Sequence, residues 1–267
     1  MRCPAVLVFD SGIGGLSVAQ HIAHQIPGMH LTYLADNAGF PYGNQPDELV
    51  ISRCVGMIRR SLLQTPADVV VIACNTASTV ALPALRAAIE VPVVGVVPAI
   101  KPASALSVNR RIGLLATPAT IRRPYLNRLV AEFAADCTVE PLGHPDLVHW
   151  IEAWAAGEAS LPLAALSRTL QPFRSAGVDT VVLGCTHYPL IAQALRRQLP
   201  EVRHWVDSGD AIARRTRHLL LAGGPGVFAA NRTGPVQSDI RFSGPWSAVL
   251  ETYIEGLGFA LNSISGD

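Results

Sequence analysis

Asp68-Val69-Val70-Val71-Ile72-Ala73-Cys74-Asn75-Thr76 is echoed 111 positions later by Asp179-Thr180-Val181-Val182-Leu183-Gly184-Cys185-Thr186-His187. Each stretch opens on an aspartate, runs through β-branched apolar residues, and ends on a thiol followed by polar groups. A short, continuously apolar run bounded in this way predicts a strand covered on both faces, as in a parallel sheet. Similar runs recur at Ala5–Phe9, Leu31–Leu34, Val93–Val96, Arg111–Leu115, Arg203–Val206 and Ile240–Phe242. Between them lie stretches with helical spacing, at Leu49–Leu63, Ser78–Ile89, Tyr125–Ala134, Leu161–Ala176, Leu190–Gln198 and Ile212–Leu221. Strand and helix alternate, so the fold class is α/β with mainly parallel sheets.

A second echo pairs Val8-Phe9-Asp10-Ser11-Gly12 with Trp205-Val206-Asp207-Ser208-Gly209. Two echoes predict two similar α/β domains related by a pseudo-twofold, with the active site in the cleft between them. The proline-rich stretch Val97–Pro102 is the expected first crossing and Asp207–Gly209 the return. Residues 1–97 together with 209–267 then form one domain, and 98–208 the other.

Composition narrows the field further. The chain has 267 residues, of which 15% are charged and 49% apolar, with a mean hydropathy of +0.31. Its longest uncharged apolar stretch, Val69–Leu85, is broken by Asn75, Thr76, Ser78, Thr79 and Pro83, short of the ~20 apolar residues a spanning helix needs. No membrane association is expected. The net charge is +1 and the arginine pairs are scattered, which argues against a nucleic-acid partner. The apolar run before Asp10 is too short for a signal-peptide core, so a cytoplasmic location is expected. In a reducing compartment five cysteines without a C-x-x-C pair are neither a disulfide framework nor a zinc ribbon. Cys3, Cys54 and Cys137 read as small packing residues.

Cys74 and Cys185 differ from those three. Ligands of parallel sheets bind beyond the carboxyl ends of strands, where both thiols fall with a helix expected to follow. An ordinary thiol titrates near ~8.5, and a helix N-terminus or a neighbouring histidine lowers that value. Inverting a stereocentre by proton transfer requires a base on one face of a carbon and an acid on the other. Two thiols in equivalent places suit that task. Asp10 is a candidate acid/base helper or a helix cap, and His187 a candidate partner for Cys185. Ser11, Asn75, Thr76 and Thr186 could hold the carboxylate and ammonium of an amino acid.

Taken together, Val8-Phe-Asp10-Ser11-Gly-Ile-Gly-Gly-Leu-Ser17, Phe40-Pro41-Tyr42-Gly43, Ala73-Cys74-Asn75-Thr76-Ala-Ser78 and Leu183-Gly-Cys185-Thr186-His187-Tyr-Pro-Leu190 closely resemble the glutamate racemases of the cofactor-independent aspartate/glutamate racemase family. The resemblance continues through Gly95–Pro102, Ala116–Ile121 and Val206–Gly209. It implies interconversion of L- and D-glutamate, without a cofactor or metal, to supply D-glutamate for peptidoglycan. It further implies that Cys74 takes the proton from D-glutamate and Cys185 from L-glutamate, with Asp10, His187 and Glu152 as accessory catalytic groups. Asp10, Ser11, Tyr42, Gly43, Asn75, Thr76, Thr117, Thr120, Thr186 and His187 correspond to substrate-binding positions, and a homodimer is the assembly implied.

Rival readings are open to the same residues. Gly12-Ile-Gly14-Gly-Leu-Ser17 after a strand, with Asp36 further on, superficially matches a dinucleotide fingerprint, although Ser17 replaces the last glycine. A pyridoxal-phosphate racemase needs a Schiff-base lysine, and the only lysine is Lys101, in what reads as a proline-flanked linker. His21/His24 and His144/His149 are possible metal pairs but read better as ordinary solvated or capping histidines. A non-catalytic, two-lobed amino-acid-binding protein, or a racemase of aspartate or another amino acid, are the functional alternatives.

Overall fold

The computed structural model describes residues 3–223 and 234–266. In chain order its elements are β1 (Ala5–Asp10), α1 (Leu16–Gln25), β2 (His30–Ala35), α2 (Asp47–Gln64), β3 (Val69–Ile72), α3 (Asn75–Ala88), β4 (Val93–Gly95), α4 (Ile100–Leu106), β5 (Arg111–Ala116), α5 (Pro118–Ile121), α6 (Pro124–Phe133), β6 (Thr138–Gly143), α7 (Leu147–Ala155), α8 (Leu163–Thr169), α9 (Gln171–Ala176), β7 (Thr180–Leu183), α10 (Ala192–Gln198), β8 (His204–Val206), α11 (Gly209–Ala222), β9 (Gln237–Phe242), α12 (Ala248–Gly256) and β10 (Ala260–Gly266). They divide into two compact units, Met1–Val96 with Gly209–Asp267, and Val97–Ser208.

The first unit holds a six-stranded sheet in the order β10-β9-β2-β1-β3-β4, and the second a four-stranded sheet in the order β6-β5-β7-β8. Every described pairing is parallel. The run β2-β1-β3-β4 therefore has the same order as β6-β5-β7-β8, and β3 and β7, the strands of the 111-residue echo, occupy the same place. Both are buried along their whole length. The second echo does not mark equivalent positions. Its members end β1, an inner strand, and β8, an edge strand, whereas the counterpart of β1 is β5. Asp-Ser-Gly recurs there as turn chemistry.

Of the four edge strands, β4 and β8 fall in expected apolar runs, whereas β6 and β10 were not legible that way. β6 carries Glu140 and Pro141, and Pro is tolerated where one side of a strand needs no partner. At one edge of the six-stranded sheet β10 has a register irregularity between Leu261 and Ser263. The stretch expected as one helix over Leu161–Ala176 is two, because Pro172 opens α9 and cannot donate back into the turn before it. Lys101 lies not in a linker but in the first turn of α4, its ammonium 5.2 Å from the centroid of the Phe133 ring. Cys3 is exposed and Cys137 half-buried, so of the three cysteines read as packing residues only Cys54 sits in the core. No described helix is long and apolar enough to cross a membrane.

The aspartates that open the echo do the same work in each unit. Asp68 Oδ2 accepts the Ala5 amide where β1 begins. Asp179 accepts the amides of Val108 and Asn109 and the hydroxyls of Ser107 and Thr180, just before β5. Burial alone would raise the Asp179 carboxyl, but these donors hold it below the ordinary carboxylate range. A depressed carboxylate stabilises the fold above its unfolded pKa, and the contribution fades as pH falls through the folded value. Asp179→Asn is expected to cost ~1–3 kcal/mol at neutral pH in urea unfolding, with the gap to the parent protein closing at acid pH. A gap that persists at strongly acidic pH would show that the charge is not the source.

Candidate active site

In the first unit the candidate residues gather at the carboxyl ends of β1 and β3. Asp10 ends β1, is fully buried, and accepts the Gly12 amide through Oδ1 at 3.0 Å. It caps this turn rather than helix α1, whose N-cap is Gly15. The Tyr33 hydroxyl holds the same turn by donating to the Gly12 carbonyl at 2.6 Å. Gly15 is required by close packing: a Cβ there would stand 2.7 Å from the Asp10 Cβ and 2.9 Å from the Tyr33 hydroxyl. The turn is thus committed to presenting Asp10 and Ser11, and the amide that a dinucleotide pyrophosphate would need is occupied.

Cys74 follows β3 and is the N-cap of α3, which starts at Asn75 rather than Ser78. Its sulfur accepts the Ala77 amide at 3.4 Å and lies 3.8 Å from the Ser11 hydroxyl. The helix thus presents its positive end to the thiol. Ser78 locks the helix onto the sheet, donating to the Ile72 carbonyl and accepting the Val96 amide. Asn75 and Thr76 are each only 9% exposed, and Asn75 Oδ1 is buried without a hydrogen-bond partner. A buried acceptor left unmatched costs ~1–3 kcal/mol, so an incoming donor gains from meeting it. Tyr42 is buried in a one-turn 3₁₀ segment, Tyr42–Asn44, and its hydroxyl is committed to Asp36. Only the backbone of Tyr42–Gly43 is left to meet a ligand.

In the second unit Cys185 follows β7, but a turn and a short 3₁₀ segment, Tyr188–Ile191, come next instead of an α-helix. The sulfur's support is different in kind. His187 Nδ1 lies 3.8 Å from Cys185 Sγ, and His187 Nε2 is 2.7 Å from Glu152 Oε1. Glu152 sits on α7 and closes a chain Cys185–His187–Glu152. His187 is almost completely buried. Burial alone would lower its pKa, yet hydrogen bonds and charge from Cys185 and Glu152 raise it well above the ordinary imidazole value. Thr117, beyond β5 as Ser11 is beyond β1, caps α5 by accepting the Thr120 amide, and the two hydroxyls are 3.0 Å apart. Thr186 is buried beside Cys185.

Among the described residues no group of three or more His, Cys, Asp or Glu side chains is placed to hold a metal ion. His144 packs at a tilt against Trp150, ring centroids 4.7 Å apart, and accepts the Asp146 amide, and His21 packs against Gly209. Sequence reasoning missed the groups that brace these loops, namely Tyr33, Ser78, Arg53 and Ser243. Tyr33 and Ser78 gave one signal, polarity within otherwise apolar surroundings; Arg53 and Ser243 gave none. Asp36 drew notice only as a ribose acceptor, a role its hydrogen bonds rule out because both its oxygens are engaged.

A family model for Asp/Glu/hydantoin racemases matches residues 8–216. Glutamate racemase of Serratia proteamaculans (strain 568) is 51% identical over 219 residues, covering 81% of this chain and 76% of that protein. Glutamate racemase of Sodalis glossinidius is 43% identical over 258 residues, covering 96% of this chain and 89% of that protein. Among solved structures, Escherichia coli glutamate racemase in complex with L-glutamate and the activator UDP-MurNAc-Ala superposes with a TM-score of 0.89 at 43% identity, over 99% of this chain and 98% of that one. Two units of parallel sheet, a thiol at the same strand end in each, and these likenesses together make the chain a member of the Asp/Glu/hydantoin racemase family.

Proposed function

We propose that this racemase interconverts L- and D-glutamate by proton transfer between two thiols, Cys74 and Cys185, without a cofactor. The observation that carries the reading is topological: β3 and β7 hold the same position in sheets of the same strand order, and each delivers a cysteine at its carboxyl end. Relatives at 43–51% identity bearing the name glutamate racemase support glutamate over other amino acids.

In this reading Cys74 removes the α-proton of D-glutamate while Cys185 returns one from the opposite face, and the roles exchange for L-glutamate. Each turnover leaves one sulfur protonated and the other anionic, so the reverse direction starts from the complementary state. Cys74 draws on the Ala77 amide, the end of α3 and the Ser11 hydroxyl; Asp10 is its accessory acid/base group. Cys185 draws on the imidazolium of His187, which Glu152 holds in place and keeps protonated. The unmatched Asn75 Oδ1 is an acceptor suited to the substrate ammonium, and Ser11, Thr76, Thr117, Thr120, Thr186 and the Tyr42–Gly43 amides suit its carboxylates. Fixed donors of this kind lower the barrier to forming a carbanion because they need not reorganise as charge develops. The same reading has the enzyme supplying D-glutamate for peptidoglycan in the cytoplasm, with a homodimer as its assembly.

Circular dichroism at a glutamate band, with no cofactor added, should show racemisation from either enantiomer. Cys74→Ala and Cys185→Ala should each reduce it by at least ~10²–10⁴-fold, since removing either thiol deprives both directions of an acid or a base. Full activity in both variants would sink the two-thiol mechanism. A chain that binds glutamate but never exchanges its α-hydrogen in deuterated water would be a binding protein instead.

Glu152→Gln tests the relay beneath Cys185. Without the carboxylate, His187 loses a partner that raises its pKa, so the imidazolium gives up its proton at lower pH. The alkaline limb of kcat against pH, with L-glutamate as substrate, is expected to move to lower pH. An unmoved limb would leave Glu152 with no part in holding that proton.

A further inference from the structure

We infer that Asp36, Arg53 and Ser243 form a positioning cluster that fixes the Tyr42–Gly43 peptide beside Cys74 and thereby sets the affinity for glutamate rather than the rate of proton transfer. The inference rests on the reading of the chain as a glutamate racemase.

Asp36 is completely buried and follows β2 directly. Its Oδ2 accepts the Tyr42 hydroxyl and Arg53 Nε, while Oδ1 accepts Arg53 Nη2 and the Ser243 hydroxyl. Four donors from three separate segments thus converge on one carboxylate: the 3₁₀ turn, α2, and the chain after β9. The carboxylate's lone-pair sites are filled, and the arginine meets it with two nitrogens, the arrangement that fixes orientation as well as distance. Burial alone would raise this carboxyl, but Arg53, Ser243 and Tyr42 hold it below the ordinary range, so the ion pair is intact at neutral pH.

A buried ion pair is seldom more stabilising than apolar residues of the same size, and what it offers in return is a single geometry. Here that geometry is transmitted to the turn. Tyr42 packs its ring 6.2 Å from that of Phe9, within the same apolar cluster as Cys74, and the Tyr42–Asn44 turn touches α3. Gly39 shows how tightly the loop wraps the pair: a Cβ there would meet Arg53 Nε at 2.6 Å and Asp36 Oδ2 at 2.7 Å. Asn37 adds a second tie to the same distant segment, accepting the Gly244 amide and donating to the Pro245 carbonyl. With the Tyr42 side chain wholly committed, moving this cluster moves the backbone amides and nothing else that faces substrate.

Arg53→Lys keeps the charge but loses the two-nitrogen grip, and should raise KM for L- and D-glutamate alike by ~10-fold with kcat within ~3-fold. Ser243→Ala, a milder change that also serves should Arg53→Lys fail to fold, should raise both KM values by ~2–5-fold. A lowered Tm with unchanged KM would overturn the inference by showing a structural role only, and so would a fall in kcat at constant KM. Absence of glutamate racemisation in the parent protein would instead defeat the functional reading. The positioning claim is then read from amide exchange, which should quicken at Gly43 but not at Thr76 in Ser243→Ala; equal exchange in parent and variant overturns it.

Discussion

A strand buried on both faces can place polar chemistry only at its ends, because every side chain along its length is enclosed by helices and neighbouring strands. β3 and β7 obey this constraint throughout. Each has a carboxylate at its entrance, Asp68 or Asp179, that ties the start of the adjoining strand β1 or β5. Each has a thiol at its exit, where the chain turns away and polar residues become affordable. The division between the two ends therefore follows the strand direction: the stabilising carboxylates lie at the amino end and the thiols proposed to react lie at the carboxyl end.

Beyond that shared frame the two thiols are supported by unlike means. Cys74 is held by backbone, with an amide of the 14-residue helix α3 pointing at its sulfur. Cys185 has no such helix and is served by a side-chain relay in which a carboxylate holds an imidazolium against the sulfur. Cys54 shows what happens to a thiol with neither. It is equally enclosed, yet burial, with the charges of its neighbours, pushes its pKa far up and leaves it neutral. Enclosure by itself keeps a thiol neutral; a donor aimed at sulfur is needed to favour the thiolate.

The sequence carried the inner strands well because their apolar runs, Val69–Ile72 and Thr180–Leu183, need no context to be read. It singled out Cys74 and Cys185 as candidates because polar residues directly after such runs have no packing explanation. It did not carry β6, whose Glu140 and Pro141 reflect the freedom of an edge, nor the split between α8 and α9, which depends on one proline. The echo of Asp10-Ser11-Gly12 in Asp207-Ser208-Gly209 misled, since the same turn chemistry serves strands of different standing in their sheets. Arg53 and Ser243 were invisible for a more basic reason. Nothing local distinguishes an arginine that will meet a buried carboxylate from one that will face water, and Ser243, which donates to the same carboxylate, lies 207 positions beyond Asp36.

Glu152 marks the boundary between these cases. On its own helix it resembles any half-exposed carboxylate, and no feature of Leu147–Ala155 singles it out. Its meaning comes from His187, which sits enclosed in the turn after Cys185 and within hydrogen-bonding distance of α7. An enclosed imidazolium without a carboxylate would lose its proton to burial. The short turn after β7 and the presence of Glu152 therefore go together: an imidazole enclosed beside the Cys185 sulfur keeps its proton only with an anion behind it.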